Sequence, residues 1–273
     1  MKTIIVPVNF SANSNNAARY AADMALSINA ELQLFHVLQV PITAVDVPTS
    51  DYLMEELQTE ANDSLEELKQ GLMERTNGKV KVLSSLQAGC IEFKLEEFCE
   101  KVKPFLVVMG VTGDSMEKVL TGSSTVAAVR QLRYPLVIVP GGAIFHVIKK
   151  IVLACDLRDL VSDFYVDYLN EIKNVFHASI EVINIIPDKE PRLEIDQDSF
   201  AFNSWNNKLR QISPEVRFIR ISNIEDGIAK YLYNHPADLL FVLPKNHHFF
   251  EFHKSHSKRI AMRSPIPVMC FHA

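Results

Sequence analysis

The first half of this chain is written again in the second, and that duplication limits the available folds more than any single motif. Thr3-Ile-Ile-Val-Pro-Val-Asn9 lines up with Lys150-Ile-Val-Leu-Ala-Cys-Asp156, and helical patterns follow at Asn15 to Ile28 and at Leu160 to Phe176. Each helix leads to another apolar run, Glu31-Leu-Gln-Leu-Phe-His-Val37 or Ser179-Ile-Glu-Val-Ile-Asn-Ile185. Lys79-Val-Lys-Val-Leu83 then corresponds to Glu215-Val-Arg-Phe-Ile219, and Lys103 to Gly110 corresponds to Ala237 to Pro244. The halves close on Tyr134-Pro-Leu-Val-Ile-Val139 and Ile266-Pro-Val-Met-Cys-Phe271, with the join near Pro140-Gly-Gly142. A self-similar chain is read as repeated structural units before anything else.

Within each half, runs rich in Val, Ile and Leu alternate with helical segments of ten or more residues. Near-continuous apolar strands of this kind are buried on both faces, as in parallel sheets joined by helices. The longest helix is expected from about Ser50 to Arg75, where Leu53, Leu57, Leu65, Leu68 and Leu72 recur at helical spacing and Asn77-Gly78 supplies the stop. In the second half a loop from Pro187 to Asp198 precedes a shorter helix near Trp205, with Phe200 and Phe202 as its core neighbours. Met24 and Leu26 are read as core positions of the first helix, and His36 as making a structural hydrogen bond at a strand end. The fold expected is two tandem α/β domains, residues 1–142 and 146–273, each a five-stranded parallel sheet flanked by helices.

The chain has 273 residues, of which 48% are hydrophobic and 22% charged, so it can bury two ordinary cores. A net charge of −5 argues against a dedicated nucleic-acid binder. No apolar run reaches the roughly 18–20 residues of a membrane span. A strand-like sequence begins at Thr3, and Cys90, Cys99, Cys155 and Cys270 form no CxxC pair. These features lead us to expect a cytoplasmic protein with no signal peptide.

The chemistry concentrates after the strand Phe105-Leu-Val-Val-Met109. Gly110-Val-Thr-Gly113 and, beyond a short spacer, Gly122-Ser123-Ser124-Thr125 open onto a helical pattern through Val129. Glycines let backbone N–H groups approach a phosphate, and hydroxyls at a helix N-terminus add donors. A tight structural turn is the competing reading. Asp114 and Lys118 in the spacer are either metal or phosphate contacts or solvated loop charges. Neither a Gly-x-Gly-x-x-Gly after the first strand nor a Gly-x-x-x-x-Gly-Lys-Ser/Thr is present, which excludes those two nucleotide fingerprints. No nucleophile elbow or zinc-protease motif is found, so a dedicated enzyme is not expected.

The matching stretch of the second half is as long but has no glycine: Pro244, His247 and His256 stand where the first half has Gly110, Gly113 and Gly122. Rigid or bulky residues remove the backbone freedom of those glycines. Three readings stay open there. His247, His248, His253 and His256 are candidate ligands of a transition metal, although their spacing fits no zinc pattern. With Lys254, Lys258 and Arg259 they also make a candidate anion or acidic-partner surface. The third reading is a solvated loop whose Phe249, Phe250 and Phe252 pack onto the domain.

The duplicated strand–helix order, with Gly110, Gly113, Gly122 and Ser123, resembles the universal stress protein family in its tandem form. The spacer after Gly113 is one residue shorter than the family's usual pattern. The resemblance covers the whole chain and implies Rossmann-like or flavodoxin-like domains of the adenine nucleotide alpha hydrolase-like type. It also implies ATP or a related adenine nucleotide at the carboxyl ends of the strands. Pro7 and Val8 would lie beneath the ligand, with Val37 as an apolar wall. Asn9 would stand where nucleotide-binding relatives carry an Asp, and Ser123, Ser124 and Thr125 would meet the phosphates. Mg²⁺ is the expected counter-ion. The last strands of the two halves are expected to pair as an internal pseudo-dimer, or to form a homodimer. An unidentified protein partner would read the occupied state, and neither nucleic acid nor membrane is expected as a partner.

Overall fold

The computed structural model describes residues 1–39, 51–111, 132–155, 163–187, 207, 209, 210, 212, 214–221, 223–242 and 264–270. Two compact units divide the chain, Met1–Phe145 and His146–Phe271. The first carries β1 (Thr3–Pro7), α1 (Ala12–Ile28), β2 (Glu31–Leu38), α2 (Asp51–Arg75), β3 (Val82–Ala88), α3 (Ile91–Val102), β4 (Leu106–Val111) and β5 (Leu136–Pro140). The second carries β6 (Lys150–Ala154), α4 (Asp163–Phe176), β7 (Ser179–Pro187), β8 (Glu215–Ile221), α5 (Ile224–Asn234), β9 (Leu239–Val242) and β10 (Val268–Cys270). The expected helix near Trp205 falls outside the described residues.

Every described strand pair within a unit is parallel, in the order β3-β2-β1-β4-β5 and, in the second unit, β8-β7-β6-β9-β10. Right-handed crossovers then put α1 and α2 on one face of the first sheet and α3 on the other. The duplication extends to single hydrogen bonds. Val8 N–H donates to the Phe35 carbonyl at 2.9 Å, and Cys155 N–H donates to the Ile183 carbonyl at 3.2 Å in the equivalent place.

α1 starts at Ser11, whose hydroxyl accepts from Ser14 N–H at 3.3 Å, and ends at Asn29 in the left-handed region (φ 52°). Its buried side is built of Ala17, Ala18, Ala21, Ala22 and Ala25, so the helix lies close against the sheet. Met24 is fully buried as expected, but Leu26 is 42% exposed, because the alanine face rather than the leucine turns toward the sheet. Arg75 donates to both carboxylate oxygens of Asp23, at 2.8 and 2.7 Å, and so joins the end of α2 to α1. Asn77 and Gly78 follow with φ of 52° and 69°, and Gly78 N–H caps the Met73 carbonyl at 2.8 Å.

The third strand departs from the sequence reading. It runs from Val82 to Ala88 rather than from Lys79 to Leu83. β3 has β2 as its single described neighbour, and an edge strand accommodates Ser84, Ser85 and Gln87 where a central strand would not. The correspondence with the second half shifts by four residues. Leu83 pairs with Gln33, and Glu215 pairs with Glu181, which makes Leu83 the counterpart of Glu215.

The cores are apolar, with Ile4, Ile5, Leu32, Leu34, Phe35 and Leu106 fully buried in the first unit. Phe35 stacks on Phe98 of α3 with ring centroids 4.4 Å apart. The second unit replaces part of this arrangement with charge. Glu181, at the register position of Gln33, contacts Lys150 Nζ at 2.6 Å and Arg217 Nε, and the Tyr231 hydroxyl approaches the same carboxylate. Burial opposes ionisation of Glu181, but Lys150, Tyr231 and Arg217 outweigh it and hold its pKa below the ordinary value.

Candidate functional site

In a sheet of this order the strand sequence reverses direction between β1 and β4, and the crevice at their carboxyl ends is where such folds take ligands. β1 delivers Pro7, Val8 and Asn9 to that edge. Pro7 pairs with Phe35, Val8 is 5% exposed, and Asn9 is exposed. Proline is tolerated there because it stands on the last residue of the strand. Its carbonyl stays available while the missing N–H takes nothing from the ladder beyond.

Asn9 shapes the chain's entry into α1. Its Oδ1 accepts from Ser11 N–H at 3.2 Å and from Ser11 Oγ–H at 2.7 Å, while Asn9 N–H donates to Ser14 Oγ at 3.3 Å. The backbone donor at Ser11 fixes which end of the amide is oxygen. Both lone-pair directions of Oδ1 are therefore used inside the turn, and the Nδ2 amide has no partner among the described residues. The Nδ2 amide of Asn9 is thus left as a donor at the end of β1.

The next residue, Phe10, adopts φ 61°, an uncommon conformation for a bulky side chain, and its ring lies 4.6 Å from that of His36. His36 Nδ1 is 2.7 Å from the Val8 carbonyl. A carbonyl only accepts, so Nδ1 carries the proton of this hydrogen bond. This is the structural hydrogen bond expected of His36, and it ties β2 to the end of β1. Val37, one residue on, is 7% exposed and pairs with Gln87 of β3.

Gly110 ends the buried run of β4, and its reason for being glycine lies in α1. A Cβ at this position would stand 2.3 Å from the Asn13 carbonyl oxygen, 2.8 Å from the Asn13 carbonyl carbon and 3.3 Å from Ala17 Cβ. A Cβ on Gly141 would come within 3.1 Å of Asn13 Oδ1, and Asn16 Nδ2 donates to the Ala143 carbonyl at 3.1 Å. The first turn of α1 therefore lies across the carboxyl ends of β4 and β5. Sequence reading found Gly110 but assigned its freedom to phosphate approach. It missed Asn13, because a helix crossing leaves no local pattern.

Gly113, Asp114, Lys118, Gly122, Ser123, Ser124 and Thr125 lie outside the described residues, as do Asp156, His247, His248, His253 and His256. Among the described residues no group of three His, Cys, Asp or Glu side chains could hold a metal ion, and no helix is long and apolar enough to cross a membrane. Cys99 is buried, and burial with nearby Glu96 pushes its thiol up to about 12, which leaves it inert at neutral pH.

These features define a doubly wound parallel α/β protein whose first unit brings Pro7, Val8, Asn9, Val37 and Gly110 to the carboxyl ends of its strands. Residues 1–140 match the Universal stress protein family. The chain belongs to that family. Universal stress protein MJ0531 of Methanocaldococcus jannaschii is 30% identical over 141 residues, covering 50% of this chain and 81% of that protein. The crystal structure of a universal stress protein from Archaeoglobus fulgidus matches at 17% identity and a TM-score of 0.73, covering 98% of this chain and 95% of that one. A functionally unknown protein of Pseudomonas aeruginosa PAO1 matches at 11% identity and a TM-score of 0.59, covering 99% of this chain and 92% of its own. At such identities the two structures speak to the fold.

Proposed function

We propose that the first unit binds ATP or a related adenine nucleotide at the carboxyl ends of β1, β2 and β4, and that the chain acts as a nucleotide-responsive binding protein in a stress response. The observation that carries this reading is that Pro7, Val8, Asn9, Val37 and Gly110 stand together at the carboxyl ends of β1, β2 and β4, with the Gly/Ser/Thr segment to Thr125 following Gly110 in the sequence. Family membership supports it. The chemistry also fits the ligand: Val37 offers an apolar wall for a base, the Asn9 amide offers a donor, and the segment from Gly113 to Thr125 is rich in neutral donors suited to phosphate. Mg²⁺ would enter with the phosphates, because no carboxylate cluster stands ready for it among the described residues. Pro244, His247 and His256 replace the three glycines in the second half, so that half would not bind in the same manner.

The proposed role is binding and release rather than turnover, since the sequence carries no nucleophile elbow or zinc-protease motif. Denaturing the purified protein and analysing the supernatant for adenine nucleotide tests the reading. Gly113→Val combined with Gly122→Val should abolish nucleotide capture and leave the far-ultraviolet spectrum unchanged. His247→Ala with His256→Ala should leave capture intact. Control of capture by the histidines would overturn the assignment to the first half.

A further inference from the structure

Gln87 is the one residue at the carboxyl edge of β3 whose polar chemistry is unused. Its Oε1 is sealed from solvent and has no hydrogen-bond partner among the described residues, while the residue as a whole is half-exposed. Native proteins rarely leave a buried acceptor unmatched, and such a group calls for a reason. Gln87 pairs directly with Val37, and paired residues on neighbouring strands share one face of the sheet. Gln87 therefore shares a sheet face with Val37, the residue assigned as the apolar wall for the base.

The second half supplies an internal control. Glu31 and Ser179 occupy equivalent register positions opposite Thr3 and Lys150, so Ile185 is the counterpart of Val37. Ile185 pairs with Ile219, which makes Ile219 the counterpart of Gln87. The position accepts an aliphatic residue where the glycine segment is lost and carries an unmatched amide where that segment is kept.

We propose that Gln87 reads the base of the bound nucleotide, its Oε1 accepting a hydrogen bond from the exocyclic amine of adenine. This rests on nucleotide binding in the first unit and adds the residue that selects the base. A carbonyl at that position of the base could not serve, because the unmatched atom is an acceptor and needs a donor on the ligand.

The test is calorimetric titration of the full chain with ATP and with purine riboside triphosphate, which differs only in lacking the amine. The wild type should bind ATP about tenfold more tightly, the scale of one well-placed hydrogen bond in a sheltered site. Gln87→Met should weaken ATP and bring the two ligands to near equality, with purine riboside triphosphate little changed. Gln87→Ile, which copies Ile219, serves as a second variant in case Met perturbs folding. Equal binding of both ligands by the wild type would overturn the proposal, as would a preference for ATP that survives both substitutions. Absence of binding by either nucleotide would instead overturn the nucleotide reading itself.

Discussion

Gly110→Ala isolates the packing demand at the centre of the first unit. The added Cβ would meet the Asn13 carbonyl oxygen at 2.3 Å and its carbon at 2.8 Å, both backbone atoms of the first turn of α1. No side-chain rotation relieves that overlap, so either α1 or the end of β4 must move. α1 resists lifting because Ala17, Ala18, Ala21, Ala22 and Ala25 are all buried beneath it. Overpacking a filled core costs about 1–3 kcal/mol, and a clash with backbone on both sides belongs at the upper end of that range. For a domain of this size each kcal/mol moves the midpoint by about 4 °C, so a fall of roughly 8–12 °C is expected. Differential scanning calorimetry of the nucleotide-free chain measures it, and hydrogen exchange should show α1 losing protection first. Gly71→Ala is the control: nothing lies within 4 Å of its new Cβ at this exposed position near the end of α2, and it should stabilise by about 1 kcal/mol. If Gly110→Ala melts within about a degree of the wild type, the helix crossing does not explain the glycine.

Other expectations follow from local geometry. Ser11→Ala removes the hydroxyl that accepts from Ser14 N–H and donates to Asn9, and should cost about 1 kcal/mol by urea denaturation. The pKa of Glu181 is lowered in the folded state, so its contribution is complete above the ordinary carboxylate value of 4.5 and is lost as pH falls through the folded value. Glu181→Gln should therefore destabilise by about 1–2 kcal/mol at pH 7, a figure reduced because its cationic partners are partly exposed, and the difference should shrink as pH falls through the folded value of Glu181. A wild-type pH profile as flat as that of Glu181→Gln would contradict this. Iodoacetamide at pH 8 followed by mass spectrometry should label exposed Cys90 and spare buried Cys99 in the native protein.

Much of the architecture was readable because parallel sheets buried on both faces leave uninterrupted Val, Ile and Leu runs, and here each run occurs twice. The exception was β3. As an edge strand it carries Ser84, Ser85 and Gln87, so apolar patterning favoured Lys79 to Leu83, and only the pairing of Leu83 with Gln33 set the register. The site was partly legible. The strand ends carrying Pro7, Val8, Asn9 and Val37 were legible in the apolar runs while their assignment to a ligand came from the family resemblance, and a glycine reads the same whether a phosphate or a helix approaches it; Gly110 is approached by Asn13. Gln87 and Glu181 left no signal in the sequence, because their meaning comes from the strand beside them.

The central claim is that one half of this duplicated chain binds an adenine nucleotide and the other does not. Calorimetric titration of the full chain with ATP tests it most directly. The account predicts saturable binding at one nucleotide per chain, abolished by Gly113→Val with Gly122→Val. No binding heat at high micromolar ATP, or two nucleotides per chain, would contradict it.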